Sequence, residues 1–259
     1  MENVPGTLLG CLHLLFDKGL RYSTVIDLGC ADGHFFLELY CRGIFAGARG
    51  VNIDANPLYE TSLRAIKEAT GAHYVIAAAS DSDGEAEMVN AAHPYWASLR
   101  PEGDVYWEQM NGLSAGKVRV PTIALDTLRK QLDLSPPFLL KLDVQGGEAA
   151  ALRGARQMLT ETEIVMCETD LRDLPGIHRI LEDAGFDLFD LTEVNRFEDG
   201  SLGWFYPVYL NRRHAGVRPR SFWDAQFNAR VIQNQKDRRQ AVLARNAAAL
   251  EWLKTQGPR

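Results

Sequence analysis

Thr24-Val25-Ile26-Asp27-Leu28-Gly29-Cys30-Ala31-Asp32-Gly33 is the stretch on which the fold turns. Val25, Ile26 and Leu28 make the apolar run of a buried parallel strand. Gly29 and Gly33 bracket a tight turn, and His34 to Tyr40 reads as the helix that follows. Strand, glycine turn and helix are how an open α/β sheet places a ligand at the carboxyl end of a strand. Asp27 breaks the apolar run, and a carboxylate there needs a partner.

Working outward, Ala48 to Asp54 reads as a second strand. Asp54 ends it, 25 residues beyond Gly29, and an acidic residue at about that interval is placed to accept from ribose hydroxyls. A helix from Leu58 to Thr70 follows, stopped by Gly71, and His73 to Ser80 reads as the third strand. Glu85 to Val89 alternates like an exposed strand, so a hairpin-like insertion replaces an immediate helix. Ala91 to Lys117 has no period but holds His93, Tyr95, Trp96, Tyr106 and Trp107, an aromatic loop of functional character. Next come a short strand at Lys117 to Pro121, a helix at Ala124 to Leu132 and a core strand at Phe138 to Val144. The turn Gln145-Gly146-Gly147 leads into a helix from Glu148 to Leu159, then a strand at Glu163 to Glu168. A helix from Ile177 to Ala184 precedes strands at Phe186 to Leu191 and Trp204 to Leu210, which suit an antiparallel edge.

The 259 residues therefore divide into a lead-in helix (1–21), an α/β domain (22–210) with a doubly wound, mostly parallel seven-stranded sheet, and a helical tail (211–259). The net charge of −6 is split unevenly. The tail has eleven Lys or Arg against three Asp or Glu, a net +8, and the rest carries −14. Such asymmetry suggests different partners for the two parts. The tail has few aromatics interleaved with its charges, which argues against nucleic acid, while its large apolar groups suit packing on the domain or in a homo-oligomer. No apolar run reaches the ~20 residues of a membrane span, although a transient contact with an anionic membrane surface is compatible with the charge. The four cysteines show neither C-x-x-C nor metal-ligand spacing, which points to a reducing, cytoplasmic setting.

The D-x-G-x-x-x-G spacing at Asp27, Gly29 and Gly33 resembles motif I of the class I S-adenosylmethionine-dependent methyltransferases. The run Leu139-Leu140-Lys141-Leu142-Asp143-Val144-Gln145-Gly146-Gly147-Glu148, continued by Leu152, Gly154 and Ala155, resembles the L-K-x-D-V-E-G-x-E-x-x-x-L-x-G-A signature of the FkbM methyltransferase family. Ile123 to Leu128 and Ser80 to Ala86 resemble two further segments of that family, so the likeness covers about residues 22 to 210. Gln145 stands where the family usually has Glu. The resemblance implies a Rossmann-like fold, S-adenosylmethionine as cofactor and O-methylation of a sugar, glycolipid, polyketide or other natural product.

From these positions we expect the cofactor to be held by Asp27, Gly29, Ala31, Asp32, Gly33, Asp54, Ala79 and Ser80. Asp143 and His93 are the catalytic candidates, as polar contact and general base. Residues two apart on a strand share a face, so Asp143 is also placed to pair with Lys141. His34, at a helix start, is a weaker base candidate. Lys141, Gln145, Glu148, Glu168 and Trp96 are the expected acceptor contacts, with Glu148 alternatively capping its helix. Asp143, Glu148 and Glu168 are hard donors on one rim, but three carboxylates alone do not specify a metal and none is favoured. The preferred acceptor is a sugar or glycan hydroxyl. Alternatives are a polyketide, peptide or lipid hydroxyl, or a cofactor-binding interaction protein without turnover. A dinucleotide oxidoreductase is disfavoured by the absence of G-x-G-x-x-G.

Overall fold

The computed structural model describes residues 4, 6–44, 47–91, 114–217, 232–245 and 247. His93, Trp96 and the other residues of the aromatic loop between 92 and 113 lie outside them. Contacts divide the chain into two units, Met1–Val217 and Arg218–Arg259.

The first unit begins with helix α1 (Leu8–Asp17), then β1 (Thr24–Leu28), α2 (His34–Cys41), β2 (Arg49–Asp54) and α3 (Glu60–Thr70). Strands β3 (His73–Ile76), β4 (Ala78–Ala79), β5 (Gly84–Ala91) and β6 (Ser114–Ile123) follow. Helix α4 (Leu125–Gln131), strand β7 (Phe138–Leu142), the short helices α5 (Glu148–Arg153) and α6 (Arg156–Leu159) and strand β8 (Thr162–Cys167) come next. Helix α7 (Leu174–Asp183), β9 (Phe186–Thr192), β10 (Tyr206–Asn211) and a 3₁₀ segment (Arg212–Val217) close the unit.

Seven strands form one sheet in the order β3-β2-β1-β7-β8-β10-β9. The order reverses at β1, which is parallel to both β2 and β7. Strand β10 alone runs antiparallel, between β8 and β9. This is the expected doubly wound sheet, and the last pair, β9 and β10, forms its antiparallel edge.

The continuous apolar strands follow from burial on both faces. One face packs Val25, Leu139, Ile164 and Val208 against Leu12 and Leu15 of α1, Phe36 and Leu39 of α2 and Leu63 of α3. The other packs Ile26, Leu28, Leu140 and Val165 against Leu128, Leu152, Met158 and Leu181.

The expected third strand is split. Its first half is β3; Ala78 and Ala79 leave to pair with Thr122 and Ile123 in a second sheet of order β4-β6-β5. The expected helix over 148–159 is likewise broken into α5 and α6 at Gly154 and Ala155. In the second unit, residues 232–245 are helical, within the stretch read as helix. Among the described residues no helix is long and apolar enough to cross a membrane.

Candidate active site at the carboxyl ends of the strands

The glycine loop leaves β1 at the point where the sheet order reverses, the place where open α/β sheets bind ligands. Gly29, Ala31 and Gly33 take φ values of 66°, 50° and 83°, all left-handed. Gly29 is required by a close approach: a Cβ there would sit 1.8 Å from the carbonyl oxygen of Asp143. At Gly33 a Cβ would meet Ile66 Cδ1 at 2.4 Å. Ala31 has no such licence, and a non-glycine residue held left-handed is a strain that surrounding bonds must enforce. Its N–H donates to Asp54 Oδ2 at 2.8 Å, which ties the loop to the end of β2.

Asp54 accepts a second backbone bond, from Asn56 N to Oδ1 at 2.8 Å. Each of its oxygens keeps a further lone pair. Burial raises its pKa, opposed by those two backbone bonds. Asp32 accepts from His34 N at 3.2 Å and lies 2.9 Å from His34 Nδ1 on the exposed side of the loop. Ala79 is buried, and Ser80 N donates to Ile123 O at 3.0 Å. The glycine loop, the partly exposed Asp54 and the strand end at Ala79–Ser80 suit the methionyl, ribose and base portions of a nucleoside cofactor.

Asp27 departs from expectation. It is fully buried and offers a ligand no surface. Burial raises its pKa, and Lys141 is the main opposing influence. Lys141 Nζ lies 3.2 Å from Asp27 Oδ1 and 3.3 Å from Asp143 Oδ2, and donates to Gly29 O at 3.4 Å. Lys141 is only 4% exposed, so like Asp27 it faces the protein interior. Burial alone would depress the ammonium, but Asp27 and then Asp143 outweigh it and hold the charge. Lys141 therefore braces the glycine loop from beneath.

Asp143 keeps 22% of its side chain exposed, which makes it the open end of this chain of charges. Tyr206 Oη donates to its Oδ2 at 2.6 Å and Gln145 Nε2 to its Oδ1 at 2.9 Å. Gln145 also donates to Glu168 Oε2 at 2.7 Å. Strand register explains the meeting. Leu142 pairs with Cys167 and Val208 with Met166. The next positions, Asp143, Glu168 and Tyr206, form a row on one face.

Burial would raise Asp143, yet Lys141 and then hydrogen bonds from Glu168, Tyr206 and Gln145 hold it below the ordinary carboxylate value. Glu168 goes the other way, raised well above its usual range by burial and by Asp143. The opposed shifts place the pair's negative charge preferentially on Asp143 and a shared proton preferentially on Glu168. Glu148 accepts from Val144 N at 3.0 Å and Gly146 N at 3.1 Å. It holds the preceding turn, in which Gln145 takes φ 52°, and does not cap its own helix, which has no side-chain cap bond at Gly147. It is buried, not an open acceptor contact, and burial pushes its pKa to about 7. Among the described residues no group of three or more His, Cys, Asp or Glu is arranged to hold a metal ion.

Tyr206 is the member that sequence reasoning passed over. A tyrosine opening an apolar strand reads as core, and only the register places its hydroxyl on Asp143.

The family model described as the methyltransferase FkbM domain matches residues 27–188. Among solved structures, the chain is similar to the methyltransferase FkbM of Methylobacillus flagellatus, at 17% identity and TM-score 0.44, over 74% of this chain and 45% of that one. The chain thus spans less than half the length of that relative. It is also similar to the precorrin-6y C5,15-methyltransferase of Geobacter metallireducens (13% identity, 78% and 85% of the two chains, TM-score 0.39). A third is the fibrillarin of Aeropyrum pernix, solved with natively bound S-adenosyl-L-methionine (13%, 76% and 74%, TM-score 0.40). No curated protein sequence matches the chain. The family model covers well over half of the residues, including the glycine loop, Asp54 and the Lys141–Glu168 cluster, and so the chain belongs to the FkbM methyltransferase family, with S-adenosylmethionine as its cofactor.

Proposed function

We propose that this protein transfers a methyl group from S-adenosylmethionine to a hydroxyl of a sugar or glycan. The observation that carries this reading is the ionised, partly open Asp143, fixed by Tyr206, Gln145 and Lys141. Gly29 approaches the Asp143 backbone, so this carboxylate adjoins the loop assigned to the cofactor. Bound there, the cofactor supplies an electrophilic methyl on a sulfonium. The acceptor hydroxyl would donate to the exposed edge of Asp143 in place of one of its present donors, which would orient the hydroxyl toward the cofactor loop. Asp143 would take up the proton that the acceptor hydroxyl gives up on methylation. Tyr206, Gln145 and Lys141 fix the orientation of the carboxylate.

An acidic reacting centre favours a small neutral acceptor over a polyanion such as nucleic acid. Free thiols at all four cysteines accord with a cytoplasmic setting.

The test is transfer of labelled methyl to a library of sugars, nucleotide sugars and glycans, run beside polyketide, peptide, lipid and RNA acceptors. Asp143→Asn keeps the shape and loses the charge. We expect it to bind S-adenosylhomocysteine as the parent does and to lose at least about a hundredfold in kcat. Turnover within about twofold of the parent would make Asp143 a structural group only. Methylation confined to non-sugar acceptors would overturn the sugar assignment.

A further inference from the structure

Beyond the reacting centre, one surface on the same face carries large exposed aromatic groups. Trp204 is 39% exposed and Phe197 37%, with rings edge to face at 6.4 Å. Both sit on a tight hairpin after β9. Asn195 N donates to Trp204 O at 2.9 Å, Gly203 N to Asn195 O at 2.9 Å and Phe197 N to Ser201 O at 3.0 Å. Arg196 and Leu202 bridge between them, and Asp199 Oδ1 closes the tip by accepting from Ser201 N at 2.8 Å. The aromatic pair is thus presented by hydrogen-bonded backbone, although apolar area of this kind is normally buried.

Its position follows from the register. The β8–β10 pairing seen at Met166–Val208 continues unshifted to the bridge Thr169–Phe205. Trp204 therefore lies on the same face as Tyr206, one step further out along the strand. Tyr206 in turn bonds Asp143. An exposed indole thus lies on the face that carries the carboxylate assigned to the acceptor hydroxyl, two residues from the tyrosine that bonds it. A pyranose matches both features, with an apolar C–H face for the indole and equatorial hydroxyls for the carboxylate. Among the described residues the buried cation at the centre is Lys141, which is engaged by Asp27 and Asp143. Asp143 would repel a carboxylate or phosphate on the reacting ring.

We infer that Trp204, backed by Phe197, is the stacking platform of the acceptor subsite, and that the ring it receives is an uncharged pyranose. This inference rests on the sugar O-methyltransferase reading above.

The test uses the full chain with Trp204→Ala, Trp204→Leu and Trp204→Tyr. Acceptors are neutral methyl hexopyranosides and neutral glycans, with the corresponding uronic acids and sugar phosphates. For Trp204→Ala we expect KM for the neutral acceptor to rise at least about tenfold, kcat to stay within about threefold, and affinity for S-adenosylhomocysteine to be unchanged. Trp204→Tyr keeps an aromatic face and should stay within about threefold of the parent in KM. If Trp204→Ala does not fold, the pair Leu and Tyr decides, since both keep bulk and only Tyr keeps the face. A parent that methylates sugars while the Ala or Leu variant keeps its KM overturns the platform and leaves the function standing. A parent that prefers uronic acids or sugar phosphates overturns the uncharged class. A parent that methylates no sugar at all overturns the function itself, and the platform with it.

Discussion

At the scale of single residues, Asp54 has two tasks that the sequence pattern shows as one. Its place after β2 marks it for ribose hydroxyls. The structure adds that it holds Ala31 in a left-handed conformation through the Ala31 N–H. Asp54→Ala therefore removes both the ribose acceptor and the brace on the loop. We expect affinity for S-adenosylhomocysteine, measured by calorimetry, to fall at least about tenfold, or about 1.4 kcal/mol. Unchanged affinity in a folded variant would remove Asp54 from the cofactor site. Glu148 carries a pH prediction. Its folded pKa of about 7 lies above the ordinary value of 4.5, so the native state holds the proton more tightly than the unfolded chain. Stability from this group is full below the unfolded value and is lost as pH rises through the folded one. Glu148→Gln stays uncharged and still offers an oxygen to Val144 N and Gly146 N. Relative to the parent it should gain stability between about pH 4.5 and 7, on the order of 3 kcal/mol at most. Melting temperatures that stay parallel across that range would show that Glu148 does not titrate there. What sequence could show at this scale was local. Lys141 and Asp143, two apart on one strand, were legible as a pair. Tyr206, 63 positions from Asp143, was not, because strand register and not spacing brings them together.

At the scale of elements, periodicity located nearly every strand and helix but missed where they break. Residues 148–159 carry helix-forming side chains on both sides of Gly154, and that continuity reads as one helix. Tertiary contacts override it. Gly154 O accepts from Asp126 N at 2.9 Å, and Asp126 caps α6 by accepting from Gln157 N and Met158 N at 2.9 and 2.8 Å. The third strand splits for a comparable reason: Ala78 and Ala79 find partners in β6 rather than in β2. The two breaks meet at Gly154, where a Cβ would lie 2.1 Å from Ser80 O. Gly154→Ala must push the α5–α6 joint away from the end of β4. Overpacking of this kind typically costs about 1–3 kcal/mol. Here the obstacle is backbone, so we expect the upper part of that range, read from urea unfolding. Ser80 is also placed at the base end of the cofactor site, so cofactor affinity should weaken together with stability. A variant as stable as the parent would mean that α5 and α6 slide freely over β4.

At the scale of the whole molecule, composition showed an acidic body and a basic tail, and contacts move their boundary. The body runs through Val217, not Leu210, because the segment after β10 is bonded into it. Arg212 Nε donates to Asp187 Oδ1 at 2.8 Å, Arg213 Nη2 donates to Thr160 O at 2.8 Å, and His214 bonds Glu163. Charge counting could not see this, because these basic residues belong to the tail by composition and to the body by pairing. Truncation after Leu210 would strip those bonds and confuse a lost tail with a damaged body, so the informative cut is after Val217. The segment removed, residues 218–259, holds nine Lys or Arg against three Asp or Glu. Its Phe222, Trp223, Phe227, Trp252 and Leu253 lie outside the described residues; as large apolar groups they would cost free energy if left in water. We expect the tail to pack on an acidic body, its own or a second copy's. Residues 1–217 alone should keep their affinity for S-adenosylhomocysteine, because every residue assigned to the cofactor lies within them. They should show either a lower melting temperature or a smaller mass by light scattering than the full chain. The full chain should converge on the truncated form as salt rises from about 0.05 to 0.5 M, because screening weakens attraction between exposed opposite charges. If the truncated protein keeps both melting temperature and mass but loses affinity for a phosphorylated acceptor or for anionic vesicles, the tail is an anion-binding arm and does not pack on the body.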